Sequence, residues 1–113
     1  MSRLTRRACV TGGSLWLLAC AVPARAAAPD LPRGYLVDAI PADWQRELED
    51  MACVSLHVDH ALLTPRQARE VKQAGYWLFC YTVDDPQRAR ELFSWGVDAL
   101  CTDRIDLVGP DCA

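Results

Sequence analysis

Three groups of side chains in this sequence have the chemistry of a site. His57, Asp59 and His60 stand almost side by side, and together they offer three ligands for a metal ion. Their spacing matches no usual helical or ribbon ligand pattern. That favours the plainer reading, in which His57 fills a strand position and His60 caps the loop that follows. Asp84, Asp85 and Asp103 are carboxylates that can bind a divalent cation or trade a proton as acid and base. The competing account, which we favour, makes Asp85 a helix cap and gives Asp84 and Asp103 to turn-forming hydrogen bonds. Tyr81 lies in an apolar run and is either core or the lining of a ligand pocket. A glycine-rich phosphate loop, a serine nucleophile elbow and a cysteine pair at metal-ligand spacing are all missing, so the chemistries those motifs serve are excluded.

The elements that must position these groups are legible from periodicity. Tyr76–Val83 is a nearly continuous apolar and aromatic run between Gly75 and Asp84, the pattern of a strand buried on both faces of a parallel sheet. Asp85 and Pro86 then open a helix whose stripe is Ala89, Leu92 and Phe93 and which Gly96 ends. Val97–Thr102 is a further strand, with Asp103 and Asp106 at its exit. Upstream, Tyr35–Ile40 reads as a strand and 42–52 as a helix with Trp44, Leu48 and Met51 on one face. Cys53–Val58 is the next strand, and Thr64-Pro65-Arg66-Gln67 forms a capping box. The helix it starts carries Ala68, Val71 and Ala74 and stops at Gly75. Pro65 to Pro86 and Gly75 to Gly96 are the same distance apart, an internal echo that supports a repeating strand–helix architecture. The expected fold is α/β: an incomplete TIM-type (β/α)8 barrel of about four parallel strands alternating with helices. Polar groups at the strand exits are where such folds place their chemistry.

Composition narrows the function classes. All fifteen acidic residues lie between Asp30 and Asp111, so that from Ala26 onward they face eight basic ones, a balance of −7. A domain this acidic, with no local basic patch, is not a nucleic-acid binder. Met1–Ala28 differs from the rest: Arg3, Arg6 and Arg7 precede the apolar stretch 12–22, and Ala24-Arg25-Ala26 offers a small-x-small cleavage site. We divide the chain into a leader, 1–28, resembling a signal peptide or else accidental, and a domain, 29–113. The leader's apolar run is too short to span a bilayer. A working leader implies the periplasm. Cys53, Cys80 and Cys101 fall in predicted strands and read as free thiols, which suits the cytoplasm.

Three stretches carry a resemblance, in order. They are Leu-Pro-Arg-Gly-Tyr-Leu-Val-Asp at 31–38, Ser-Leu-His-Val-Asp-His-Ala-Leu-Leu-Thr at 55–64, and Cys-Tyr-Thr-Val-Asp-Asp-Pro followed by Trp-Gly-Val-Asp-Ala-Leu-Cys-Thr-Asp-Arg-Ile-Asp in 80–106. From about Pro29 to Pro110 the chain resembles the second half of bacterial glycerophosphodiester phosphodiesterases of the cytoplasmic type. The resemblance implies a (β/α)8 barrel of lipid metabolism that hydrolyses a glycerophosphodiester to an alcohol and glycerol 3-phosphate. It also implies two histidines as acid and base and a divalent cation, magnesium or calcium, held by carboxylates. The family's His-Arg-Gly and Glu-x-Asp signatures are not in this chain, and His57 and His60 match a later stretch that is not the catalytic pair. Asp84 stands where the family usually has asparagine. No catalytic residue and no metal ligand therefore carries over, and no cation is expected to be bound by this chain alone. What carries over is a pocket wall: Tyr81 matches the aromatic beside the substrate glycerol, Asp103 matches the terminal Thr-Asp motif, and His57 is a third pocket candidate. The expectation is an inactive carboxyl-terminal fragment, with an exported non-catalytic interaction module as the alternative. An open half barrel would also expose two sheet edges and a broad apolar face, and so risk self-association.

Overall fold

The computed structural model describes residues 27–112. The expected leader, 1–28, falls outside them but for its last two residues. Pro29 and Asp30 form a turn, and the elements then alternate: β1 (Gly34–Leu36), α1 (Trp44–Asp50), β2 (Ser55–Asp59), α2 (Pro65–Gln73), β3 (Trp77–Tyr81), α3 (Pro86–Ser94) and β4 (Ala99–Leu100). The strands form a 4-stranded parallel sheet in the order β1-β2-β3-β4. The fold class is as expected, a run of strand–helix units joined by parallel crossovers.

Helices α2 and α3 begin and end where local chemistry says they should. The Thr64 hydroxyl accepts from the Gln67 amide at 3.2 Å while the Gln67 side chain accepts from the Thr64 amide at 3.1 Å, closing the capping box of α2. Asp85 accepts from the amides of Gln87 and Arg88 at 3.1 and 3.3 Å and so caps α3. Both helices stop at a glycine with positive φ, Gly75 at +90° and Gly96 at +97°. The next residue in each case donates back into the last turn, Tyr76 to Val71 and Val97 to Leu92. The repeat seen in the sequence is thus a repeat of helix-ending geometry. Replacing Asp85 with alanine orphans two amides, and the expected cost is about 1 kcal/mol, read from the urea midpoint, with asparagine retaining most of it.

Side chains alternate across the sheet and sort into two layers. Leu56, Val58, Leu78, Cys80 and Leu100 face the helices and pack with Leu48, Ala68, Val71, Ala89 and Leu92. On the opposite face lie Ser55, His57, Phe79 and Ala99, all buried, with Trp77 and Cys101 against Phe79 and Ala99. The centre of this second face is closed to solvent, contrary to the expected broad apolar exposure. Cys80 and Cys112 are free thiols. Among the described residues no helix is long and apolar enough to cross a membrane.

The regular strands at the two edges are shorter than their apolar runs. β4 covers two residues where Val97–Thr102 was expected, although main-chain bonds to β3 continue on both sides, from Asp98 N to Leu78 O and from Val83 N to Cys101 O, each at 2.8 Å. Asp98 Oδ2 accepts from the Leu78 amide at 2.8 Å before the strand, and Asp84 Oδ1 accepts from the Asp103 amide at 2.9 Å after it. β1 ends at Leu36 rather than Ile40. Its contacts with β2 nevertheless continue, since Val37 donates to His57 O at 2.9 Å and Asp59 donates to Asp38 O at 3.2 Å.

Candidate functional site at the carboxyl edge of the sheet

All four strands run in one direction, so their exits share one edge, and the polar residues of the sequence collect there. The register pairs Leu36 with His57 and Asp59 with Tyr81, which sets Asp38, Asp59 and Tyr81 in a row across three strands. Tyr81 closes that row. Its hydroxyl reaches past β2 to the exit of β1, with Val37 O at 2.6 Å and Asp38 Oδ1 at 3.0 Å as acceptors. Burial, then the hydrogen bond to the Asp38 carboxylate, push the phenol well above its ordinary value, so it stays a donor at any physiological pH. The ring is half-buried and forms part of the edge's surface. Asp59 folds onto its own loop, accepting from the Ala61 amide at 2.9 Å.

The exits of β3 and β4 are joined by one carboxylate oxygen. Asp84 Oδ1 accepts from the Thr102 hydroxyl and from the Asp103 amide, both at 2.9 Å, and Thr102 Oγ1 in turn accepts from the Arg104 amide at 3.0 Å. This fixes the main chain of Asp103 and leaves its carboxylate exposed, without a hydrogen bond among the described residues. The expected turn bonds therefore belong to Asp84, and Asp103 is the residue they hold. Arg104 pairs with Asp106 at 2.8 Å on the exposed segment beyond.

The two histidines go to different places. His57 lies below the edge on the inner face, 1% exposed, with Nε2 2.9 Å from Ser55 Oγ and its ring edge-on to Phe79 at 4.5 Å. Burial lowers its pKa to about 3, so the ring is neutral. His60 is on the exit loop, where its Nδ1 accepts from Arg88 Nε at 3.2 Å. His57 and His60 therefore do not converge with Asp59 on a common point, and among the described residues no three His, Cys, Asp or Glu side chains are placed to hold a metal ion. A cavity of about 230 Å³ lies elsewhere, on the helix side of β4, lined by Phe93, Leu100, Ile105 and Val108 among others. It shares only Thr102 with the polar edge.

Of the pocket candidates, Tyr81 and Asp103 stand at the carboxyl edge and His57 is buried beneath it. Two participants were missed. Asp38 follows Val37 at a strand exit just as Asp59 follows Val58, and that repeated Val-Asp pair was the available signal. Arg88 carries no such signal, since its partner lies 28 residues away.

A parallel strand–helix arc with its polar groups at the strand exits defines part of a TIM-type (β/α)8 barrel. Comparison with known proteins narrows this. The model of the glycerophosphoryl diester phosphodiesterase family matches residues 11–107, and the chain belongs to that family. A phosphodiesterase from Oleispira antarctica, solved in complex with the product sn-glycerol-3-phosphate, is 37% identical with a TM-score of 0.72, over 74% of this chain and 34% of that one. A putative glycerophosphodiester phosphodiesterase from Galdieria sulphuraria shares the fold at 18% identity and a TM-score of 0.64, over 74% of this chain and 36% of its own. The glycerophosphocholine phosphodiesterase of Rattus norvegicus is 33% identical over 61 residues, which are 52% of this chain and 9% of that protein. The chain thus spans about a third of the solved structures it resembles, and much less of the rat enzyme.

Proposed function

We propose that the exits of β1–β4 form one wall of a glycerophosphodiester-binding pocket, with Tyr81 and Asp103 on its surface and His57 as its buried support. The Tyr81 ring offers an apolar face to a glycerol backbone, and the chain's match to an enzyme solved with sn-glycerol-3-phosphate supports that ligand class. Cleavage of the diester needs a base to take a proton from water, and an acid to protonate the departing alkoxide. The observation that carries our reading is that the two histidines form no acid–base pair. His57 is buried with a pKa near 3, far from the range useful to a proton carrier at neutral pH, and His60 lies apart from it on the exit loop, bonded to Arg88. The divalent cation used by the family, magnesium or calcium, does not fit these residues either. Asp84 Oδ1 is taken by Thr102 and Asp103, Asp59 by its own loop, and no three-ligand cluster exists among the described residues. Hydrolysis therefore draws on groups beyond those described, and this chain supplies binding. Free thiols at Cys80 and Cys112 fit a reducing compartment for it.

The purified chain, given glycerophosphocholine with magnesium or calcium, should release choline no faster than a blank. An amide NMR titration with sn-glycerol 3-phosphate should move signals from 81–84 and 102–104 and leave the opposite edge unchanged. Turnover above the blank, or shifts that avoid the carboxyl edge, would overturn the proposal.

A further inference from the structure

We propose that Arg88, in the first turn of α3, is a positioning residue for the Tyr81 wall and acts through the main chain of His60. Its guanidinium is held on every side. Nη2 donates to His60 O at 2.6 Å, Nε donates to His60 Nδ1 at 3.2 Å, and Nη1 pairs with Glu91 at 2.5 Å. The plane lies over the Trp95 ring at 4.8 Å, and the side chain is only 22% exposed. Two donors of one rigid fork thus grip a single residue of the β2 exit loop, a geometry that lysine cannot reproduce. The grip is passed on: the His60 amide donates to Tyr81 O at 3.1 Å, and the Tyr81 hydroxyl donates to Val37 O at 2.6 Å. A helix-layer cation thereby ties together the exits of β2, β3 and β1.

The ligand part of this inference rests on the pocket reading above; the positioning part does not. Three variants separate them: Arg88→Lys, which loses the fork, His60→Ala, which keeps the carbonyl grip but not the ring contact, and Lys72→Met. Lys72 pairs with Asp98 at 2.7 Å near the amino end of β3, so its loss loosens the fold away from the wall. In the ligand-free chain, Arg88→Lys should shift the Tyr81 ring and His60 amide resonances strongly and His60→Ala should shift them less. Lys72→Met should leave them in place despite lower stability. Affinity for sn-glycerol 3-phosphate should fall about tenfold in Arg88→Lys, the loss of one charge-assisted bond, and about threefold in His60→Ala. Unmoved Tyr81 signals in folded Arg88→Lys would overturn the proposal, as would equal movement in Lys72→Met. If Arg88→Lys does not fold, unmoved Tyr81 signals in His60→Ala overturn it alone. If Arg88→Lys moves Tyr81 but the native chain takes up no sn-glycerol 3-phosphate, the clamp stands and the pocket reading falls.

Discussion

Truncating Phe79 to alanine should remove about 3–5 kcal/mol of folding free energy, the usual range for a buried aromatic. Phe79 is 1% exposed, sits edge-on to His57 at 4.5 Å, and pairs in register with Ala99, whose side chain is too small to fill the space left. The walls of that space are strands locked to their neighbours by parallel ladders, so they cannot close inward. Small domains hold about 5–15 kcal/mol in total, and the urea transition of the variant should move most of the way to zero denaturant. Tryptophan fluorescence reads it directly, because Trp77 packs against Phe79. A loss of about 1 kcal/mol or less would mean that the inner face is not packed as described.

Acid should weaken the fold through His57. The native ring has a pKa of about 3, lowered by burial, whereas the unfolded chain restores the ordinary value of 6.5. The unfolded state therefore takes up a proton first as pH falls, and stability drops across the window between those two values. Above pH 6.5 this contribution is complete and flat. Below it the loss is about 1.4 kcal/mol per pH unit, amounting to about 3 kcal/mol by pH 4. The Ser55 hydroxyl at 2.9 Å does not oppose the effect, since it satisfies the neutral ring equally well. Urea midpoints at pH 7, 6, 5 and 4 should show this slope in the native chain. His57→Gln should keep only the part due to carboxylates, and parallel curves for the two proteins would refute the assignment. Because His57 and Phe79 touch, their double variant should not be additive.

What could be foretold from the sequence was what is local in the chain. The caps at Thr64 and Asp85 and the stops at Gly75 and Gly96 depend on residues within one helical turn, and they are where the pattern put them. Continuous apolar runs also identified β2 and β3 to within a residue or two, since burial on both faces is written into every position. Edge strands fared worse: regular pairing of β1 and β4 stops short of their apolar runs, with single main-chain bonds and the Asp98 and Asp84 carboxylates holding the ends, and composition does not record that division. Distance explains the rest. Tyr81 to Val37 spans 44 residues and Arg88 to His60 spans 28, so the ties that shape the carboxyl edge become visible only once the sheet is assembled. Asp103 was named correctly as an edge residue, but the bonds credited to it are made by Asp84.

The strand order has a consequence for how the molecule is made. Each of β2, β3 and β4 pairs with the strand about 20 residues upstream, so during translation each of them meets a neighbour already synthesised. Among the described residues each strand's neighbour is the next unit along, and closing each short loop costs little entropy. Assembly can advance in step with the ribosome, one strand–helix unit at a time, as a wall rises course by course.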